Sequence, residues 1–310
     1  MRRSRLYLSL VLAAALTAGA AHRAAAQRRG SRDSEYRSRI DTTLAFDRNG
    51  TVTVTAGNGD IIVTGAQASA VHVRATSDDD NLRIDASAAR MSVEVSNRHG
   101  GDSRIEVSVP YGVRVILHSL SGDISTHGTR GEIEARAQSG DVLVEDATRL
   151  DINTLSGGIT ASTIRGDVAI QSTSGDVKIT DLRGDADVQT VSGDIELRGV
   201  TAKVIRAKTT SGDVTYDGTI DKAGRYDLSA NSGDVRLHIP RDTGAQLTVS
   251  TWNGEFQSDF PITLRPGEHG IGSSNSKHLT FEINGGGARI SAETFSGDVT
   301  VSSNGRGARP

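Results

Sequence analysis

The sequence predicts an all-β solenoid. Three observations carry that prediction: a glycine-centred tripeptide that returns at near-constant spacing, period-2 hydrophobic alternation on both sides of it, and a composition suited to short strands joined by tight turns. The tripeptide is Ser121-Gly122-Asp123, Ser139-Gly140-Asp141, Ser156-Gly157-Gly158, Ser174-Gly175-Asp176, Ser192-Gly193-Asp194, Ser211-Gly212-Asp213 and Ser232-Gly233-Asp234. A degenerate copy, Asn253-Gly254-Glu255, and a last one, Ser296-Gly297-Asp298, follow. Consecutive copies in the main run lie 17 to 21 residues apart, which predicts a single β-solenoid, or β-helix, of about 18–21-residue coils with terminal caps. Gly131, Gly166 and Gly184 each fall nine residues beyond a motif glycine and mark a second turn in the coil.

Alignment of the copies gives the side-chain pattern of one coil. The residue after the third motif position is Ile124, Val142, Ile159, Val177, Ile195, Val214, Val235, Phe256 or Val299, always apolar, and the next but one repeats the tendency. Four residues before the first motif position stands Leu117, Ala135, Ile152, Ile170, Val188, Ala207, Leu228, Val249 or Ala292. Each motif therefore joins two strands that point alternate residues inward. Specifically, Ile179, Val188, Ile195 and Leu197 are expected inside, and Lys178, Asp187, Glu196 and Arg198 outside. Glycine allows the positive φ of a turn, and serine and aspartate beside it are expected to bond their own local backbone. The four or so inward residues of one coil do not offset the ordering entropy of its chain, so stability has to come from stacking.

Glycine at 35 of 310 residues, aromatics at 4% and the absence of cysteine agree with such a fold, held by packing and backbone pairing without disulfides. The N-terminus reads as a signal peptide over residues 1–26. Arg2, Arg3 and Arg5 precede the apolar run Leu6–Leu16, and Ala24-Ala25-Ala26 forms a cleavage site before Gln27, with Ala18-Gly19-Ala20 as the alternative. No later run is apolar for long enough to span a bilayer. Its removal leaves 31 basic and 38 acidic residues, a net charge of −7 that argues against a nucleic-acid partner. Residues 27–42 read as a flexible polar linker, 43–303 as the solenoid and 304–310 as a disordered tail. The alternating runs from Leu44 to Leu117 are taken as opening coils or an N-terminal cap, and the last coil as the C-terminal cap.

Trp252, Phe256, Phe260, Phe281 and Phe295 all lie after residue 250, and two readings stay open: closure of the core, or an aromatic platform for a sugar ring. Trp252 and Phe295 are the candidate ligand-platform residues. They occupy the position just before the turn, where other copies carry Leu120, Gln138, Leu155, Thr173, Val191, Thr210 and Asn231, a column expected to be half exposed. No catalytic, cofactor-binding or metal-ligating residue is assigned. The eight histidines lack metal-site spacing, and the recurring aspartates lack the glycine-rich nonapeptide of calcium rolls, so folding is expected to be independent of calcium. Arg165-Gly166-Asp167 and Arg183-Gly184-Asp185 spell an integrin-recognition tripeptide, but both sit at the second turn and the repeat accounts for them.

The chain resembles the bacterial adhesin-type domain family called toastrack over roughly Leu44 to Ser302. The resemblance rests on Val52-Thr53-Val54, Asn58-Gly59-Asp60-Ile61, Val109-Pro110-Tyr111-Gly112-Val113, the Ser-Gly-Asp series, Ile239-Pro240, Thr251-Trp252-Asn253-Gly254 and Thr294-Phe295-Ser296-Gly297. It implies a right-handed single-chain β-helix at the cell envelope and transfers no catalytic residue. The expected function is a non-enzymatic exported protein, in the periplasm, on the cell surface or secreted, presenting a rigid face to an envelope polysaccharide or protein partner. The alternatives are end-to-end self-association through unpaired coil edges and a β-helix polysaccharide lyase or hydrolase.

Overall fold

The computed structural model describes residues 38–78, 81–96, 101–261, 263–264 and 277–303. The proposed signal peptide, the linker up to residue 37 and the tail from residue 304 lie outside them. The described residues form twenty-five strands in one hydrogen-bonded sheet and contain no helix.

Parallel pairing stacks the motif copies as the sequence alignment requires. On the strand before the turn, Ser121 pairs with Ser139, Ser139 with Ser156, and the column continues through Ser174, Ser192 and Ser211 to Ser232. On the strand after it, Ile124, Val142, Ile159, Val177, Ile195, Val214 and Val235 pair in succession. Burial follows the period-2 pattern that β geometry imposes. In Arg149–Ser156, for example, Leu150, Ile152 and Thr154 are buried while Asp151, Asn153 and Leu155 are exposed. Ile179, Val188, Ile195 and Leu197 are all inside. Lys178 and Arg198 are exposed as expected, but Asp187 and Glu196 are only partly so. Arg206 reaches across to Asp187 (2.8 Å), and Lys178 (3.2 Å) and Arg198 fold over Glu196. Two coils are widened into the long strands Ile195–Ser211 and Val214–Ser232, and the added core volume is filled by Tyr216 and Tyr226, packed edge to face at 5.7 Å. Their hydroxyls donate to the carbonyls of Thr219 (2.7 Å) and Ala202 (2.6 Å), so burial raises both phenol pKa values without leaving a polar group unpaired.

The ends depart from chain order. Val235 pairs with Val299, and Val299 in turn with Phe256, so the last coil in sequence is inserted between its two predecessors. The same exchange occurs at the other end. Val52 lies between Met91 and Val115, and Ile61 between Ile105 and Ile124, so the first coil in sequence is second in the stack. The expectation that the last coil caps the solenoid is thereby corrected.

Closure is supplied by antiparallel strands. Leu82–Ala86 pairs with the end coil's Arg90–Val95, Ala70–Ser77 with its Ser103–Pro110, and Lys277–Ile283 with Ala245–Asn253 at the opposite end. Ser38–Ala45 adds to Ala70–Ser77, so a strand occupies part of the segment read as linker: Ile40 and Leu44 turn toward the protein while Asp41 pairs with His72 at 2.8 Å. The coil edges invoked for end-to-end association are thus largely paired within the chain, which removes the main row of free donors and acceptors from both ends.

Candidate binding face

The motif turn is built from three interlocking columns. Each motif glycine except Gly254 of the degenerate copy has positive φ, and each lies against the backbone one coil away; at Gly193 φ is 137°, and a Cβ there would stand 2.2 Å from the Gly175 carbonyl oxygen. Beside it runs a ladder of aspartates, and its bonds correct the expectation of local turn bonding: each carboxylate accepts from the backbone of the next coil. The Asp123 amide donates to Asp60 Oδ1 (3.2 Å), Asp141 to Asp123 (2.9 Å) and Gly158 to Asp141 (2.8 Å). Beyond Gly158 the ladder resumes with Asp194 donating to Asp176 (2.9 Å), Asp213 to Asp194 (2.8 Å) and Asp234 to Asp213 (2.8 Å). It then follows the exchanged order, Asp298 donating to Asp234 (2.8 Å) and Glu255 to Asp298 (2.7 Å). Arg236 bridges Asp213 (2.5 Å) and Asp234 (2.6 Å). Partial burial pushes the Asp213 pKa up, but the Asp234 amide and Arg236 outweigh it and the net shift is downward. The third column consists of buried hydroxyls that the sequence reading did not single out. Thr154, Ser172 and Thr190 cap turn carbonyls of their own coil, and Thr209, Thr251 and Thr294 cap glycine carbonyls of the neighbouring one.

Gly158 breaks the ladder, because it donates to Asp141 but has no carboxylate to offer the Asp176 amide. A Cβ at this position would meet nothing closer than 3.5 Å. Gly158→Asp is therefore expected to stabilise the protein by about 0.5 kcal/mol: a charge-assisted hydrogen bond of about 1.5–3 kcal/mol against roughly 0.9 kcal/mol of repulsion from each of the two flanking carboxylates, Asp141 and Asp176. In a thermal melt that is a rise of about 1–2 °C.

Outside these columns, the residue before the turn points into solvent at every coil, so the position expected to be half exposed forms a continuous corner. In stacking order it reads Leu120, Gln138, Leu155, Thr173, Val191, Thr210, Asn231, Phe295 and Trp252. The last two stand on neighbouring coils. Their rings stack at 6.0 Å and 11°, with Phe295 52% and Trp252 44% exposed. Phe260 and Phe281 are buried, and Phe256 is half-buried against Phe281. The C-terminal aromatics therefore divide: these three close the core, and the two singled out as a platform lie on the surface.

The remaining candidate chemistry is engaged elsewhere. Asp167 accepts the Asp185 amide (3.2 Å), and Asp185 accepts the Lys203 (3.0 Å) and Val204 (2.9 Å) amides, so both aspartates of the adhesive tripeptides tie coil to coil. An open groove of about 510 Å³ beside Asp167, Asp185, Lys203 and Asp221 accompanies the widened coils. Among the described residues no three His, Asp or Glu side chains converge as metal ligands, and no helix is long and apolar enough to cross a membrane.

An all-β, solenoid-like chain with glycine-stacked turns, carboxylate ladders and one continuous exposed corner is the class of protein defined here. The model of the Toastrack DUF4097 family matches residues 42–302, and the chain belongs to that family. Among solved structures it is similar to a putative adhesin from Parabacteroides merdae (12% identity, covering 86% of this chain and 97% of that one, TM-score 0.38). It is also similar to a putative adhesin from Parabacteroides distasonis (12%, 86% and 97%, TM-score 0.36) and another from Bacteroides fragilis (11%, 86% and 98%, TM-score 0.33). A search of curated proteins gives no match.

Proposed function

We propose that the protein is exported and works without catalysis, as a rigid, right-handed solenoid whose exposed corner binds a polysaccharide or protein partner in the cell envelope. The observation that carries this reading is the stacked, half-exposed Trp252–Phe295 pair at the end of that corner. Large rigid aromatics left in water on a paired, inflexible scaffold are suited to contact at low entropic cost. Export is supported by the arginine-flanked apolar run Leu6–Leu16 and the small-residue site before Gln27. Pairing of the end-coil edges favours the face over the ends as the contact surface.

The test is a glycan-array and pull-down screen with the purified protein and Trp252→Ala. Loss of one exposed stacked ring is expected to cost about 1 kcal/mol of stability and to weaken any captured ligand by about 2 kcal/mol or more. A collapse in stability with unchanged affinity would assign Trp252 to the scaffold instead. Folding on this reading needs no calcium, because the ladder carboxylates already accept amide hydrogens. Far-UV circular dichroism and the melt are expected to be the same in chelator and in millimolar calcium, and a β-sheet spectrum seen only with the ion would refute it.

A further inference from the structure

We infer that the ligand of this face is an uncharged, extended β-1,4-linked glycan lying along the solenoid axis, a proposal that rests on the binding role given above. Two outward columns run side by side at the middle of the stack: the amides Asn153, Gln171 and Gln189, and the corner residues Leu155, Thr173 and Val191. All six are exposed and none is charged, in a chain where 24% of residues are. Charge appears where the amide column ends, at Arg136 on one side and Lys208 on the other. The adjoining outward column is Asp151, Ala169 and Asp187, of which Asp187 is already bound by Arg206 (2.8 Å) and by the Gln189 amide (3.0 Å). A strip of this kind offers no counter-charge to an acidic polymer. Exposed amides, each with donors and an acceptor, match the mixed donor and acceptor character of sugar hydroxyls.

Spacing narrows the class further. Along the corner, apolar and polar residues alternate coil by coil: Leu120, Gln138, Leu155, Thr173, Val191, Thr210. Successive coils lie about 4.8 Å apart, so apolar contacts recur every ~9.6 Å. In an extended β-1,4-linked hexose chain each sugar is flipped relative to the last, and the same face returns at every second residue, a distance close to two coil spacings. Chains linked β-1,3 or α-1,4 coil away from a straight track and lose the register. The stacked Phe295 and Trp252 extend the corner beyond Asn231 and provide a sugar-stacking terminus.

The experiment is titration calorimetry of the purified protein with cello- and chito-oligosaccharides from disaccharide to hexasaccharide, beside β-1,3-glucan oligosaccharides and polygalacturonate. Affinity is expected to rise by about tenfold or more with length in the β-1,4 series, as successive sugars meet successive coils. Gln171→Glu and Leu155→Asp, both at exposed positions, are expected to weaken the hexasaccharide about tenfold each while leaving the melt unchanged. Equal binding of the β-1,3 series, affinity independent of length, or indifference to both variants overturns the inference. If polygalacturonate or a protein is the only partner bound, the neutral-glycan inference falls and the binding role stands. If the array, the pull-down and calorimetry all give no partner, the binding role falls with it.

Discussion

Val188→Asp is expected to abolish the cooperative melt of the native protein or to lower its midpoint by about 10 °C or more. Val188 is fully buried, and it pairs with Ile170 on one neighbouring coil and Ala207 on the other. A carboxylate placed there loses its hydration, finds no partner among aliphatic side chains, and costs more than about 4 kcal/mol. Each coil is held by its two neighbours, so damage at this position propagates along the stack. Gln171→Asp, exposed on the neighbouring coil, supplies the control and is expected to change stability by no more than about 0.5 kcal/mol. Circular dichroism during heating decides the matter: if the Val188 variant melts like the parent, the inward column is misassigned.

Gly193→Ala is expected to destabilise the protein severely for a single added methyl. Its Cβ would lie 2.2 Å from the Gly175 carbonyl oxygen and 2.6 Å from that carbonyl carbon, and both are backbone atoms that move only if the coils separate. At φ 137° the alanine is also strained, by about 1–3 kcal/mol, before any contact is counted. Separation of the coils would stretch the bond from the Gly175 amide to the Ser192 carbonyl (2.9 Å). A fall in melting temperature of about 10 °C is expected. Gly158→Ala, where space is open, is expected to cause no loss. Equal effects at the two positions would mean that the motif glycines serve the turn alone and not the stacking.

Much of this was legible in the sequence because every coil meets the same environment. The alignment that placed Ile152, Ile170 and Val188 in one column is the alignment of the hydrogen-bond register. The exchange of the end coils was not legible for the same reason: Val299 and Phe256 are both apolar, and either suits the place beside Val235. Column chemistry reports that a coil stacks, and not on which neighbour. Aspartate was assigned to the turn correctly, but turn chemistry does not distinguish a carboxylate that bonds its own coil from one that bonds the next. The second turn was read from its glycines, whereas Arg130, Asp146, Thr163 and Asp181 take φ values of 52–59° there. Nothing in their identity announces a left-handed backbone, except the tolerance of aspartate for it. For the candidate site, the exposure of the corner followed from its acceptance of Gln138 and Asn231. The contact between Trp252 and Phe295 did not, since their separation of 43 residues spans about two coil lengths and leaves room for an intervening coil, whereas that stretch supplies the antiparallel strand Lys277–Ile283 instead.

The exchanged ends also change how the protein comes apart. In a simple repeat array the outermost unit is a chain terminus, and its release yields a free tail with the full conformational entropy of an untethered segment. Here the outermost coils are interior stretches of the chain, anchored on both sides by coils that remain in place, so opening one yields only a closed loop. The entropy gained is reduced by the closure constraint, which shrinks the incentive to fray. A pull on the C-terminal side of the described chain bears first on Val299–Ser303, held by Val235–Ile239 on one side and Phe256–Ser258 on the other, and loads two rows of backbone bonds at once, whereas the N-terminal Ser38–Ala45 is held by a single row. Such an arrangement resists proteolytic nibbling at the outermost coils and mechanical unzipping from the C-terminal side.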